Sequence, residues 1–138
     1  MVNFPIHYRY KDAVDHTGLL LVEEKFYPIR ETECFYFILP EWQYNLYERG
    51  LIDYGKRASR VSKKGLRRKC YPSKEQAFES YLIRKKRQIW HANDALNRAK
   101  LAIERLSTIE SPDDLEVSEY KNCKIIGHAP FIDEYIFE

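Results

Sequence analysis

Basic side chains are concentrated in one stretch of the sequence, residues 56–87. The stretch holds thirteen Lys and Arg against two acids, a local net charge of +11, whereas the other residues hold ten basic and nineteen acidic side chains, a net of −9. Such an excess attracts anions, and a phosphate backbone would bind it with release of counterions. The predicted anion-binding and nucleic-acid-binding residues are Lys56, Arg57, Arg60, Lys63, Lys64, Arg67, Arg68, Lys69, Lys74, Arg84, Lys85, Lys86 and Arg87.

Aromatic residues interleave with these cations, which favours nucleic acid among the anions. Tyr54, Tyr71, Tyr81 and Trp90 lie in or beside the basic stretch. Aromatic rings can stack on unpaired bases. The alternative is a solvated face that is partly neutralised by residues 108–138, where eight acids accompany two Lys.

Other residue patterns point only weakly to catalysis. Asp15, Glu23 and Lys25 match the Asp…Glu-x-Lys spacing of metal-dependent nucleases, a pattern so short that it arises often by chance. The four His are scattered, and the three Cys form no CxxC pair. The sequence therefore predicts a protein that is not an enzyme and has no catalytic residue, no metal and no cofactor, with the nuclease as a remote alternative.

The elements that must position the basic stretch begin with strands. Phe4, Ile6, Tyr8 and Tyr10 alternate with other residues, which is typical of a half-buried strand. Pro28 indicates that the second strand ends there or lies at a sheet edge. The remaining predictions are a turn at 15–18, strands at 19–27 and 34–39, and a short helix at 40–49 that is capped by Gly50.

Residues 56–71 are predicted to form a basic hairpin. Residues 62–65 supply a turn, with Val61 before it and Leu66 after it. A flexible basic loop would have much the same composition and stays as the alternative.

A long helix is the best-marked element, beginning at Ser73 and reaching about Leu106. Ser73 and Gln76 have the spacing of a capping box. About 33 residues would span roughly 50 Å, more than the diameter of about 37 Å expected for a compact domain of this length. The helix therefore pairs with a second copy or a partner, or it breaks near Asn93 and Asp94, which favour caps over helix interiors.

Apolar residues along this helix follow a heptad pattern, interrupted only by Lys85. Such a pattern predicts a homodimer through the helix, whereas the alternative is that the same side chains pack on the sheet of their own chain. The heptad seam consists of Leu82, Ile89, Ala92, Leu96, Ala99, Ile103 and Leu106.

The whole chain is interpreted as one α+β domain, residues 1–138, with a small antiparallel sheet, a basic hairpin and one long amphipathic helix. Its parts are a strand-rich region at 1–71, the long helix at 73–107 and an acidic segment at 108–138. No apolar run approaches the roughly 20 residues of a membrane span, and the first residues lack the pattern of a signal peptide. These features predict a cytoplasmic protein that does not bind membranes.

Residues 60–77, RVSKKGLRRKCYPSKEQA, and residues 81–89, YLIRKKRQI, resemble a pattern in small uncharacterised proteins of bacteriophages and other mobile elements. The resemblance implies a binding inhibitor, of which anti-CRISPR and other anti-defence proteins are examples, acting in the host cytosol. It assigns no role to any residue.

Three hypotheses for function follow. The first is a non-enzymatic, phage-borne binding protein that engages a nucleic acid or a nucleoprotein through its basic surface. The second is an inhibitor that binds a protein target through the aromatic N-terminal sheet, with Tyr8, Tyr10, Phe26, Tyr27 and Tyr36 as contacts. The third is a binder that sequesters nucleotide signalling molecules in a small pocket between protomers.

Overall fold

The chain forms a four-stranded antiparallel sheet, a short helix and a long helix, so the predicted α+β class is confirmed. The computed structural model describes residues 3–51, 58–65, 67–120 and 122–127. The chain divides into two compact units, Met1–Lys85 and Lys86–Glu138. In chain order the elements are β1 (His7–Asp15), β2 (Gly18–Glu31), β3 (Phe35–Pro40), α1 (Glu41–Glu48), β4 (Ser59–Ser62), α2 (Lys74–Leu106) and a 3-10 turn (Pro112–Asp114).

The strands lie in the order β1-β2-β3-β4, each antiparallel to the next. The turn between β1 and β2 is the predicted one. Gly18 pairs with Asp15 and has φ +129°, a conformation that residues with a Cβ rarely adopt. The Thr17 N–H donates to Asp15 Oδ1 at 2.7 Å, which closes the turn.

The strand β2 continues through Pro28, beyond the predicted end at Tyr27. Pro28 pairs with Ile38 of β3, whereas β1 pairs with β2 only as far as Phe26. At Pro28 the other side of β2 is therefore a free edge of the sheet, where the missing N–H of proline costs no hydrogen bond. The register shifts between Pro28 and Arg30, which marks a bulge.

The helix α1 ends as the sequence predicts. Gly50 has φ +69°, its N–H donates to the Tyr47 carbonyl at 3.0 Å, and the Leu51 N–H donates to the Leu46 carbonyl at 3.2 Å. These bonds satisfy carbonyls that the last turn would otherwise leave unpaired.

One face of the sheet carries the core. Phe26, Ile38, Val61 and Cys70 are buried together there, with Tyr36 packed against them. Tyr36 pairs with Val61 and Pro28 with Ile38, so the register places alternate residues of three strands on this face. The core therefore depends on β4 and on the segment that follows it.

The predicted hairpin at 56–71 is wrong in its pairing. Among the described residues, β4 pairs only with β3, and Tyr71 pairs with Tyr8 of β1 through bonds of 2.6 and 3.0 Å. The two halves of the predicted hairpin separate because Val61 and Cys70 both enter the core. Each half pairs with an edge of the sheet, β4 with β3 and Tyr71 with β1. The turn itself is present, since Ser62 Oγ accepts from the Gly65 N–H at 2.9 Å.

The helix α2 runs without interruption from Lys74 to Leu106, so the alternative of a break near Asn93 and Asp94 is wrong. Ser73 Oγ accepts from the Gln76 N–H at 3.3 Å, as the capping pattern predicts. Asp94 Oδ2 pairs with Arg98 Nε at 3.1 Å, one turn later. This i,i+4 pair supports the helix at the point where its propensity is weakest.

No helix in the described part of the chain is both long and apolar enough to cross a membrane.

Candidate nucleic-acid interface

Eleven of the thirteen predicted anion-binding residues lie in the described part of the chain. Lys56 and Arg57 fall outside it, as does the aromatic residue Tyr54. Lys86 and Arg87 belong to the second unit. The first unit contains the other nine, which are Arg60, Lys63, Lys64, Arg67, Arg68, Lys69, Lys74, Arg84 and Lys85.

Carboxylates neutralise a minority of these nine cations. Lys63 Nζ lies 2.8 Å from Glu31, Lys74 Nζ lies 3.6 Å from Glu23, and Lys85 pairs with Asp12. The other six have no ion pair within the described residues. The first unit therefore keeps an excess of positive charge over the acids that it places nearby.

Two of the predicted phosphate ligands instead attach α2 to β1. Arg84 Nη2 donates to the Tyr10 carbonyl at 2.5 Å, and Lys85 shares Asp12 with the Tyr81 hydroxyl, whose oxygen lies 3.1 Å from Oδ2. The hydrogen bond from Lys85 holds the pKa of Asp12 below its usual range. Burial lowers the pKa of Arg84. Both side chains therefore stabilise the contact between α2 and β1.

Arg68 and Lys69 brace the segment that crosses to β1. Arg68 Nε donates to the Gly65 carbonyl at 2.8 Å, and its guanidinium lies over the Tyr71 ring at 5.6 Å. Lys69 Nζ lies 4.9 Å from the centre of the Phe26 ring. Arg9, which the sequence interpretation did not single out, donates to the Lys69 carbonyl at 2.7 Å. These contacts fix the backbone from which neighbouring cations extend.

Four exposed cations differ from the others in making no contact through their charged groups: Lys64 and Arg67 in the first unit, and Lys86 and Arg87 in the second. No ion pair, side-chain hydrogen bond or ring contact engages their charged groups within the described residues. Of the predicted residues, these four are best placed to reach a phosphate.

The predicted stacking aromatics do not form a free platform. Tyr71 and Tyr81 are half-buried and take part in the contacts of β1 and α2. Trp90 is half-buried in the second unit, where its ring meets that of His91 at 4.9 Å. Their position beside the cations in the sequence did not indicate that these aromatic side chains pack within the fold.

A second group of cations and rings lies on the sheet face opposite the core. Arg30 of β2, Phe37 of β3 and Arg60 of β4 are directly paired across three strands. The Arg30 guanidinium lies 3.9 Å from the centre of the Phe37 ring, and that of Arg60 lies 4.6 Å from the centre of the Phe35 ring. Sequence analysis missed Arg30, Phe35 and Phe37, although the alternation in β3 is their signal.

Two of the five aromatic residues predicted to contact a protein target belong to the core or pack against it. Phe26 is 3% exposed and belongs to the core, and Tyr36 packs against it. The two most exposed large apolar side chains among the described residues of the first unit lie instead near the β1–β2 turn, where Val14 is 80% and Leu19 is 73% exposed.

The nuclease pattern is not assembled either. Asp15 lies opposite Gly18 at the end of the hairpin, and Glu23 lies opposite Tyr10, five residues away along each strand. This corresponds to roughly 17 Å at the rise of an antiparallel strand. Glu23 also accepts from the Tyr10 hydroxyl at 2.8 Å. No group of three or more potential metal ligands occurs in the residues that the structure describes.

An open cavity of about 590 Å³ lies in the first unit beside β2 and α1. Its three cations are matched by three carboxylates, so it does not favour a polyphosphate ligand such as a signalling nucleotide. The charged lining residues are Arg9, Lys25, Lys69, Glu23, Glu24 and Glu41.

The heptad seam is exposed along the second unit. Ile89 is 62%, Leu96 is 50% and Ile103 is 71% exposed, although all three are large and apolar. The neighbouring seam residues Ala92 and Ala99 are exposed as well. Of the remaining seam residues, Leu82 in the first unit is 42% exposed and Leu106 is half-buried.

Comparison with known proteins gives no relative for this chain. No protein-family model matches it, and neither a curated protein nor a solved structure is significantly similar.

Proposed function

We propose that this protein is a non-enzymatic binder of nucleic acid, either free or within a nucleoprotein complex. The proposal is carried by the incomplete neutralisation of the basic segment, which is the basic stretch at residues 56–87. Of its nine described cations in the first unit, three pair with carboxylates. Cations left without acidic partners on an exposed segment attract a polyanion and bind it with release of counterions.

The different structural roles of the cations support the proposal. Arg68 and Lys69 fix the segment through backbone and ring contacts, while Lys64 and Arg67 extend from it into solvent. Contacts that hold cations in place reduce the entropic cost of binding phosphates.

The resemblance of residues 60–77 to proteins of bacteriophages suggests the setting. In that setting the protein is an anti-defence inhibitor, of the anti-CRISPR type, whose target is the nucleic acid of a host defence complex. The excess of positive charge fits such a target, because the RNA and DNA of a nucleoprotein present phosphates.

Fluorescence anisotropy with labelled RNA and DNA oligonucleotides, at about 50 and 200 mM salt, tests the proposal. The wild-type protein should bind at the lower salt and weaken steeply as salt rises. Lys64→Gln combined with Arg67→Gln should weaken binding and reduce the log–log salt slope by about 1.4, the value for two phosphate contacts on a single strand.

The matched control is Lys100→Gln combined with Lys124→Gln, which removes the same charge from exposed positions outside the basic stretch. This variant should keep at least most of the wild-type affinity. No binding of either nucleic acid by the wild-type protein at about 50 mM salt would contradict the proposal, as would equal losses in the two double variants.

We also propose that the protein associates with itself through the heptad seam, because large apolar side chains at heptad spacing are exposed there. Ile89→Glu would place a charge in such an interface. Analytical ultracentrifugation should show a dimer for the wild type and a monomer for this variant. Asn97→Glu, on an exposed position of the same helix outside the seam, is the control and should remain dimeric. A wild-type monomer at concentrations of about 100 μM, well above the Kd range of ordinary specific dimers, would refute self-association.

A protein target is the second candidate, and the exposed apolar end of the β1–β2 hairpin favours it. Exposed apolar patches of this kind mark contact sites on soluble proteins. Leu19→Ser should abolish capture of such a target from a bacterial lysate, whereas the Lys64 and Arg67 double variant should retain it. If the Lys64 and Arg67 double variant lost capture and Leu19→Ser kept it, the contact would lie in the basic segment instead.

A further inference from the structure

Two guanidinium groups and two aromatic rings lie together on the sheet face opposite the core. Arg30 and Arg60 are exposed, and Phe35 and Phe37 beneath them are half-buried. Neither guanidinium has an ion pair or a hydrogen bond within the described residues. Both arginines therefore keep all of their N–H donors for a ligand.

The register of the strands fixes this arrangement. Phe37 lies directly between Arg30 and Arg60 across β2, β3 and β4, and directly paired residues point to the same face. Phe35, two residues away on β3, is the diagonal neighbour of Arg60 and contacts its guanidinium. The side chains are thus held on the sheet, and each guanidinium lies over a ring.

A guanidinium is planar, so one that lies over a ring keeps a second face, and both Arg30 and Arg60 are exposed. Planar groups stack on such a face, and in proteins that bind single-stranded nucleic acids unpaired bases stack on aromatic rings and on arginine planes. The edge N–H groups of the same arginines can hold the adjacent phosphates. In a duplex the base faces are already stacked on one another, so this arrangement suits a single strand.

We propose that Arg30, Phe35, Phe37 and Arg60 form a stacking platform for the unpaired bases of a single-stranded nucleic acid. The inference rests on the proposed nucleic-acid-binding function and adds the class of ligand and the residues that recognise it. The basic segment supplies attraction to any phosphate backbone, and the stacking platform supplies the preference for single strands over duplexes.

Charge-conserving variants separate the two contributions. Arg30→Lys combined with Arg60→Lys keeps both positive charges but removes the planar groups. Its affinity for a labelled 12-nucleotide single strand, measured by anisotropy at about 100 mM salt, should fall on the order of ten- to a hundredfold, the range for the loss of one base stack. Its affinity for the same sequence as a duplex, and its salt slope, should stay at wild-type values.

Phe37→Leu is the second variant, since it keeps an apolar side chain on β3 while removing the ring. It should weaken single-strand binding to a similar extent without affecting duplex binding. A thermal melt of each variant within a few degrees of wild type shows that the sheet is intact, because the exposed arginines contribute little to stability.

The outcomes distinguish the inference from the function on which it rests. If the wild type binds nucleic acid but the charge-conserving and Phe37 variants bind single strands normally, the stacking platform is refuted and the function stands. Equal losses for single strand and duplex also refute it, since the face would then act by charge or shape alone. If a poly-glutamate peptide competes as well as the oligonucleotide, the face binds acidic chains rather than bases. If the wild type binds neither nucleic acid at about 50 mM salt, the proposed function fails and the inference fails with it.

Discussion

The two compact units bury their apolar residues to very different degrees. Every residue that is buried in the described part of the chain, Ile38 and Leu39 among them, belongs to the first unit. The described residues of the second unit, 86–120 and 122–127, include none that is buried. Several of its large apolar side chains, among them Ile89 and Ile103, are exposed.

This difference shows how one apolar pattern can serve two purposes. In β3, alternation places Ile38 in a core that its own chain completes. In α2, heptad spacing creates an equally regular stripe that the described part of the chain leaves uncovered. Because burial of apolar surface drives both folding and association, the first pattern stabilises the unit itself and the second is available to a partner.

Truncating one isoleucine in each unit gives the largest expected contrast. Ile38→Ala should lower the free energy of unfolding by about 2–5 kcal/mol, because Ile38 is 1% exposed and its removal leaves a cavity. Ile103→Ala should lower it by less than about 0.5 kcal/mol at protein concentrations where the chain is monomeric. Urea unfolding followed by circular dichroism measures both.

Repeating the measurement at higher protein concentration sharpens the contrast. If the seam forms a dimer, the wild type gains stability with concentration by mass action and Ile103→Ala gains less. A large cost of Ile103→Ala that does not depend on concentration would break the comparison, since the second unit would then have a core of its own.

Local rules predicted local features well. The cap at Ser73, the turn at Gly18 and the end of α1 at Gly50 were all correct, because each depends on a few neighbouring residues. The hairpin at 56–71 failed because its pairing depends on distant edges, with Tyr71 joined to Tyr8. Periodicity cannot reveal which free edge of a sheet a strand will meet.

The basic segment was predicted by composition, but the roles of its members were not. Arg84 and Lys86 are two residues apart, yet the first bonds to β1 and the second faces solvent. Residues at this spacing point to different sides of a helix, and only the docking of α2 decides which side is used. The grouping of Arg30, Phe35, Phe37 and Arg60 was not predicted, because these residues come from three strands whose pairing the sequence did not specify.

Replacing one arginine of the helix in each unit should give the next largest effect. Arg84→Met removes the hydrogen bond to the Tyr10 carbonyl at 2.5 Å and should lower the free energy of unfolding by about 1.5–3 kcal/mol, the range for bonds to charged groups. Arg87→Met, at an exposed position, should change it by less than about 0.5 kcal/mol but weaken nucleic-acid binding. Equal stabilities in urea unfolding would show that Arg84 is not a structural residue.

Protonation of a buried histidine should have the smallest effect on stability, and this histidine again belongs to the first unit. His7 is 2% exposed, and its Nδ1–H donates to the Pro5 carbonyl at 2.8 Å. Burial lowers the pKa of His7 below its ordinary value of 6.5, the Arg68 charge acts in the same direction, and the bond to Pro5 opposes them. The unfolded chain therefore binds the proton more readily than the folded chain does.

Stability from this group is thus fully present above about pH 6.5, the ordinary pKa of histidine, and is lost as the pH falls below it. Thermal melts between pH 7.5 and pH 5, values we choose to bracket that pKa, should show a decline that is smaller in His7→Phe, which keeps a ring against Tyr36 but cannot be protonated. His91→Phe, at an exposed position of the second unit, should retain the wild-type decline. If His7→Phe declined as steeply as the wild type, acid sensitivity would have to arise outside the core of the first unit.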